Sequence, residues 1–356
     1  MEHKQERAAA LKEAIARYAA PAALAEQNQD VAIYEEVEPQ WVDVPFKRPI
    51  RLLWDWGTLL QPATARVKDE RLAIIGLVMS WACEMSSLTA ESLFLSLGFE
   101  HVWSSHYVMS TLQRNAISEP ARTFAHKAVQ KDGRTYHLVC ATFKGTTTLN
   151  DAITDVKSVK DGFYEAGKNC ADALATYVQS IEGATDTNTI LFVTGHSLGA
   201  AVANVVGRLT TGIAEDDKRF VYTYASPNYE CGDDANSGYG FPNFRTFTNA
   251  ADAVPTVPPS FPKIGIEYTY DLAALSEEQR ARFDQAYAYF RGVEFEQDDD
   301  PIGLGITRVS DPALAEVLRN HLAATYMSFI VSELTDERLK LGDDEVEEEY
   351  DEVVEE

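Results

Sequence analysis

The chain has 356 residues, of which 45% are hydrophobic, 24% charged and 10% aromatic, a composition of the globular class that excludes disordered, collagen-like and disulfide-stapled chains. Its formal charge is −25, and a surface that acidic repels phosphate backbones and anionic headgroups, so neither a nucleic-acid partner nor stable membrane insertion is expected. The four cysteines, Cys83, Cys140, Cys170 and Cys231, are too scattered for a staple framework, and the charged start of the chain is unlike a signal peptide; both features predict a cytoplasmic protein.

Residues 1–48 read as a helical lead-in and linker, with an Ala/Glu/Lys-rich helix from Glu6 to Tyr18. From Pro49 the sequence turns apolar, and Leu72 to Cys83 is twelve residues without a charge. A membrane-crossing helix needs about twenty, so this stretch is expected as a buried helix. Trp41, Trp54, Trp56, Trp81 and Trp103 are expected in packing roles, and the stretch around Ser104, Ser105 and His106 as a turn of the N-terminal cap. Beyond these, short β-type runs alternate with helical patterns, the signature of crossover units on a mostly parallel sheet. The strands are His137 to Phe143, Thr189 to Thr194, Phe220 to Ala225 and Phe244 to Asn249. Between the first two, Phe163, Gly167, Cys170, Leu174, Tyr177, Val178 and Ile181 recur at helical spacing. Helices are also expected over Leu198 to Leu209 and over Pro312 to Leu334, the latter with Asp311 as N-cap and Pro312 at its first position. A single domain therefore spans 49–340. An acidic tail, 341–356, carries ten Asp or Glu and no basic residue from Asp343 onward and is expected to be disordered.

The chemistry concentrates in Thr189 to Ala200, where a β-branched strand runs into Gly195-His196-Ser197-Leu198-Gly199 and then into a helix of small residues. A serine hydroxyl is a weak nucleophile until a base takes its proton, and it must project into open space to reach a carbonyl carbon. A sharp strand-to-helix turn provides the projection, and glycines two positions either side remove side chains that would collide there. Ser197 would also sit at a helix N-terminus, whose free N–H groups favour negative charge. In the chain order serine, acid, histidine of such sites, His321 is the one histidine after Ser197. For the acid, Asp252 lies three residues past the strand Phe244 to Asn249 in a rigid Ala- and Pro-rich loop, with Asp233, Asp234 and Asp311 as rivals on composition. No H-E-x-x-H pattern or dinucleotide fingerprint is present, so no metal or cofactor is expected.

Taken together, these residues resemble the class 3 lipases, the fungal-lipase type of α/β-hydrolase, in six segments between about Val139 and Tyr326. Phe143-Lys144-Gly145-Thr146 is similar to the family's F-[RK]-G-[ST] element, Gly162-Phe163-Tyr164 to its helix start, and Gly195 to Gly199 to its G-H-S-L-G turn. Val221 to Pro227 resembles its V-x-T-F-G-S-P strand and turn, with Ala225 where the family usually has Gly. Asn249, Asp252, Val254, Pro255 and Pro258 fall on its N-x-x-D-x-V-P-x-x-P segment, and His321 with Tyr326 on its terminal histidine and aromatic. Lys160 departs from the histidine often found before G-F-Y.

The resemblance implies an α/β-hydrolase fold, a central mostly parallel sheet flanked by helices, and a triad of Ser197, Asp252 and His321. It also implies an oxyanion hole formed by the N–H groups of Thr146 and Leu198. The expected function is hydrolysis of acylglycerol or a related acyl ester, with a small ester or lipid as partner and no cofactor; oligomeric state is left open. Thr147 to Lys160 corresponds to the family's lid and carries few large apolar residues, so interfacial activation is expected to be weak. A phospholipase or acyltransferase on the same triad is the alternative within the enzyme class, and a catalytically silent binding protein the alternative outside it.

Overall fold

The computed structural model describes residues 39–60, 68–105, 120–145, 162–228, 241, 243–257, 264–295, 312–334 and 337–342. The helix Glu6 to Tyr18, the segment Thr147 to Lys160, Cys231, Asp233, Asp234, Asp311 and residues 343–356 of the acidic tail lie outside the described residues, whereas Leu341 at the tail's expected start is the last residue of a strand.

In chain order the strands and helices begin with β1 (Gln40–Val44), β2 (Ile50–Trp54), α1 (Glu70–Met85) and α2 (Ser87–Ser96). Next come β3 (His101–Ser104), β4 (Arg122–Lys131), β5 (Arg134–Phe143), α3 (Gly162–Gln179), β6 (Thr189–His196), α4 (Leu198–Leu209), β7 (Arg219–Tyr224) and β8 (Phe244–Asn249). The order closes with β9 (Ile266–Tyr270), α5 (Glu277–Phe295), α6 (Pro312–His321), α7 (Ala323–Glu333) and β10 (Leu339–Leu341).

Among the described residues the main sheet has seven strands in the order β3 to β9. β3, β4 and β5 pair antiparallel; β5 through β9 run parallel, and β6 lies between β5 and β7. Strand alternation divides the core. Ile190 and Phe192 of β6, with Phe220, Tyr222 and Tyr224 of β7, join the layer that holds α1, α5 and α7, while Leu191, Val193 and Val221 face α3 and α4 on the other side. Because both faces are covered, every residue of β6, β7 and β8 is buried, and β6 is apolar on four successive residues, Ile190 to Val193, instead of alternating with polar ones. This mostly parallel sheet, with helices on both faces and a strand–turn–helix at its middle, is the α/β-hydrolase arrangement expected from the sequence.

The uncharged run Leu72 to Cys83 is the interior of α1, buried on every side, with Asp69 as N-cap accepting from the N–H groups of Arg71 and Leu72. No helix among the described residues is long and apolar enough to cross a membrane. β1 and β2 form a second, small antiparallel sheet with β10, so residues 40–44, ahead of the expected boundary at 49, are tied to residues near the other end of the described chain.

Two expectations meet a different structure. Of the turn expected around Ser104, Ser105 and His106, Ser104 is instead the last residue of β3, paired with Thr123 of β4; Ser105 follows the strand, and His106 lies outside the described residues. The single helix over Pro312 to Leu334 is two, because Leu322 takes extended geometry (ψ 146°) between α6 and α7. That break ends α6 at His321.

Candidate active site

β6 ends in the turn that carries Ser197. Its backbone is at φ 57°, ψ −128°, a left-handed conformation that costs a side-chain-bearing residue about 1–3 kcal/mol and persists only where the surroundings enforce it. Here the Ser197 N–H donates to the Tyr224 carbonyl of the neighbouring strand at 2.9 Å, and the Ser197 carbonyl accepts from Ala200 at 3.0 Å. The flanking glycines are required by space. A Cβ on Gly195 would lie 2.3 Å from the Gly199 carbonyl oxygen, and one on Gly199 would lie 2.2 Å from the Phe143 carbonyl oxygen at the end of β5. Ala225 at the adjacent strand end also has positive φ (53°), which accounts for the family's usual Gly at that position.

The sequence-selected side chains meet at this turn. His321 Nε2 is 2.8 Å from Ser197 Oγ, and His321 Nδ1 is 2.8 Å from Asp252 Oδ2. An ionised carboxylate only accepts, so Nδ1 carries the ring proton and Nε2 is left as acceptor for the Ser197 hydroxyl. Ser197, His321 and Asp252 are 6%, 7% and 2% exposed, so the hydrogen bonds are sheltered from competing water.

Asp252 is fixed from several sides. The turn after β8 is closed by Asp252 N–H donating to the Asn249 carbonyl, and Oδ1 accepts from the Val254 N–H at 2.9 Å. The Tyr326 hydroxyl, from α7, donates to Oδ2 at 2.8 Å and accepts from the Asn249 N–H at 3.0 Å. The nearby aromatic read from the sequence thus has a definite place: it ties the acid to the end of β8.

Leu198 is the first residue of α4, buried beside Ser197, and its N–H is among the first-turn donors that a helix leaves without an intrahelical acceptor. Thr146 lies outside the described residues. Its neighbour Gly145 does not: β5 is in register with β6 so that Phe143 faces Gly195, and a Cβ on Gly145 would lie 3.3 Å from the Ser197 Cβ. The chain therefore leaves β5 alongside the Ser197 turn.

Sequence reasoning missed Glu84 at the end of α1. Its Oε1 is 2.9 Å from His196 Nδ1, and the only sequence signal was a carboxylate directly after the uncharged run Leu72 to Cys83. Among the described residues, no group of three or more His, Cys, Asp or Glu is arranged to hold a metal ion.

Residues 133–261 match the family model described as lipase (class 3). Among solved structures, the chain is similar to the native Rhizomucor miehei lipase propeptide complex at 15% identity and a TM-score of 0.36, over 65% of this chain and 77% of that one. It is similar to nonglycosylated Yarrowia lipolytica LIP2 lipase at 16% identity and a TM-score of 0.35, over 66% and 83%. A triacylglycerol lipase from Penicillium expansum is similar at 13% identity and a TM-score of 0.35, over 59% and 81%. No curated protein matches. The matched stretch contains Gly195 to Gly199, the strands on either side and Asp252, so the similarity to the class 3 lipases lies on the mostly parallel sheet and its Ser197 turn, and it ends before His321.

Proposed function

We propose that the chain is a serine hydrolase of carboxylic esters, acting on acylglycerol or a related acyl ester in the cytoplasm through Ser197, His321 and Asp252. The observation that most supports this is the unbroken hydrogen-bonded path from Ser197 Oγ through the His321 ring to Asp252 Oδ2, both links at 2.8 Å.

In this reading His321 Nε2 takes the Ser197 proton as Oγ attacks the ester carbonyl, and Asp252 stabilises the imidazolium that forms. The carbonyl oxygen, now anionic, is held by the N–H groups of Leu198 and Thr146, each such donor contributing about 2.7–4 kcal/mol in comparable sites. His321 then protonates the leaving alcohol, and water repeats the sequence on the acyl-enzyme. Short or medium acyl chains presented in solution are the favoured substrates, because Thr147 to Lys160 offers few large apolar residues to an oil surface and the chain carries a formal charge of −25. Among the described residues Cys83, Cys140 and Cys170 are buried and not joined in disulfides, in keeping with a reducing compartment.

A panel of nitrophenyl esters of graded chain length tests the reading. Turnover is expected to peak at short or medium chains with no rate jump at the solubility limit, and His321→Ala should lose on the order of 10³-fold or more in kcat while remaining folded. Parental turnover in that variant would move the base elsewhere, and a sharp jump at the solubility limit would refute the substrate preference.

A further inference from the structure

One more ionisable cluster is buried against the nucleophile turn. His196 is 4% exposed and has an acceptor at each ring nitrogen: Glu84 Oε1 lies 2.9 Å from Nδ1, and the main-chain oxygen of His321 lies 2.9 Å from Nε2. A carbonyl oxygen only accepts, so Nε2 must carry a proton; an ionised carboxylate also only accepts, so beside a charged Glu84 the Nδ1 atom carries one too. Burial by itself would push the Glu84 carboxyl up, but the His196 charge and hydrogen bond, with His321 and Lys144, outweigh it and hold the carboxyl below its ordinary value. An imidazolium at His196 paired with a Glu84 carboxylate satisfies both of these hydrogen bonds.

The place suits a cation. His321 is the last residue of α6, where a helix leaves carbonyls without N–H partners and carries partial negative charge. The Arg319 carbonyl accepts from the Thr325 hydroxyl, the Asn320 carbonyl from Asn249 Nδ2, and the His321 carbonyl from His196. All three clamps hold the segment that carries the His321 ring, whose centroid is 5.0 Å from that of His196. Glu84 also reaches the other arm of the site, since a Cβ on Gly145 would lie 2.7 Å from its Oε1.

We propose that Glu84 is a positioning residue of the ester-hydrolysing site: by holding the Nδ1 proton of His196 it keeps Nε2–H on the His321 carbonyl, and so keeps the His321 imidazole on Ser197. The proposal rests on the reading of Ser197 as nucleophile. Lys144 and Cys83 face Glu84, and His321 and Tyr326, which hold Asp252 between them, face His196. Without an acceptor at Nδ1, His196 loses its charge and is free to take the tautomer whose bare Nε2 repels the His321 carbonyl.

Nitrogen-15 NMR of the ring nitrogens and steady-state kinetics on a soluble ester, for the parent, Glu84→Gln and Glu84→Leu, test this. The parent should show both His196 nitrogens protonated near neutral pH. In Glu84→Gln the side-chain amide donates to Nδ1, so His196 should be neutral with its proton on Nε2 and kcat within about threefold of the parent. Glu84→Leu should lose about tenfold or more in kcat with KM within about twofold, because Glu84 does not touch substrate. A parent His196 with one ring proton, or a folded Glu84→Leu protein with parental kcat, would overturn the proposal; if Glu84→Leu does not fold, the ring-proton count in the parent and in Glu84→Gln decides. An active parent indifferent to Glu84 removes this proposal alone, whereas a parent that hydrolyses no ester and takes no fluorophosphonate on Ser197 removes the hydrolase reading beneath it as well.

Discussion

Asp252 is the residue on which the geometry of His321 depends. Its Oδ2 accepts from both the His321 ring and the Tyr326 hydroxyl, and its Oδ1 from the Val254 N–H. Asp252→Asn keeps the shape but offers an amide where the ring proton needs an acceptor, so the histidine tautomer reverses; kcat on a soluble ester should fall about 10⁴-fold with the fold intact. A loss of only a few-fold would mean another carboxylate orients the base. Tyr326→Phe removes one hydroxyl that serves two partners, leaving the Asn249 N–H and one Asp252 lone pair buried and unmet. Urea denaturation should show a loss of about 1–3 kcal/mol, and unchanged stability would mean that water replaces the hydroxyl.

Elements differ in how plainly the sequence announces them. The strands β6 and β8 begin where the β-branched and aromatic runs begin, and α4 starts at Leu198 because the glycine pair permits the turn before it. The break at Leu322 is not announced by the sequence: Pro312 to Glu333 is continuous in helical pattern, and at the break the Arg319 carbonyl accepts from nearby Thr325 while the Asn320 and His321 carbonyls accept from Asn249 and His196 on distant elements. Glu84 was illegible for the same reason, since its partner His196 is 112 residues away and nothing in α1 alone requires a buried carboxylate. The antiparallel part of the sheet holds another non-local feature. His126 of β4 and His137 of β5 stand at adjacent diagonal positions with Nε2 and Nδ1 3.1 Å apart, and the His101 ring stacks on His126. Burial first, then the nearby His137, His101 and Lys127, push His126 down from 6.5 to about 3. Its folded form stays neutral while the unfolded chain takes a proton below pH 6.5, so stability falls as pH drops through the window from 6.5 to about 3. His126→Phe should lose less stability between about pH 7 and pH 5 than the parent does, measured by urea unfolding at each pH. An equal loss in both would place the acid sensitivity in other groups.

At the scale of the molecule, the parallel crossover pattern and the order serine, aspartate, histidine were readable because each crossover repeats a recognisable strand–helix unit and two of the candidate residues, Ser197 and Asp252, follow strand ends. The small sheet was not. β1 and β2 are five residues each and β10 three, and the partner that completes them lies nearly the full length of the chain away. What the fold accomplishes is to bring residues 197, 252 and 321 from three separate strand and helix ends to one buried point. The most direct test of that convergence as a working site is labelling with a fluorophosphonate followed by peptide mapping, in the parent and in Ser197→Ala. One equivalent of label on Ser197, absent from the variant, is the predicted result; label on another residue, or equal labelling of the two proteins, would contradict it.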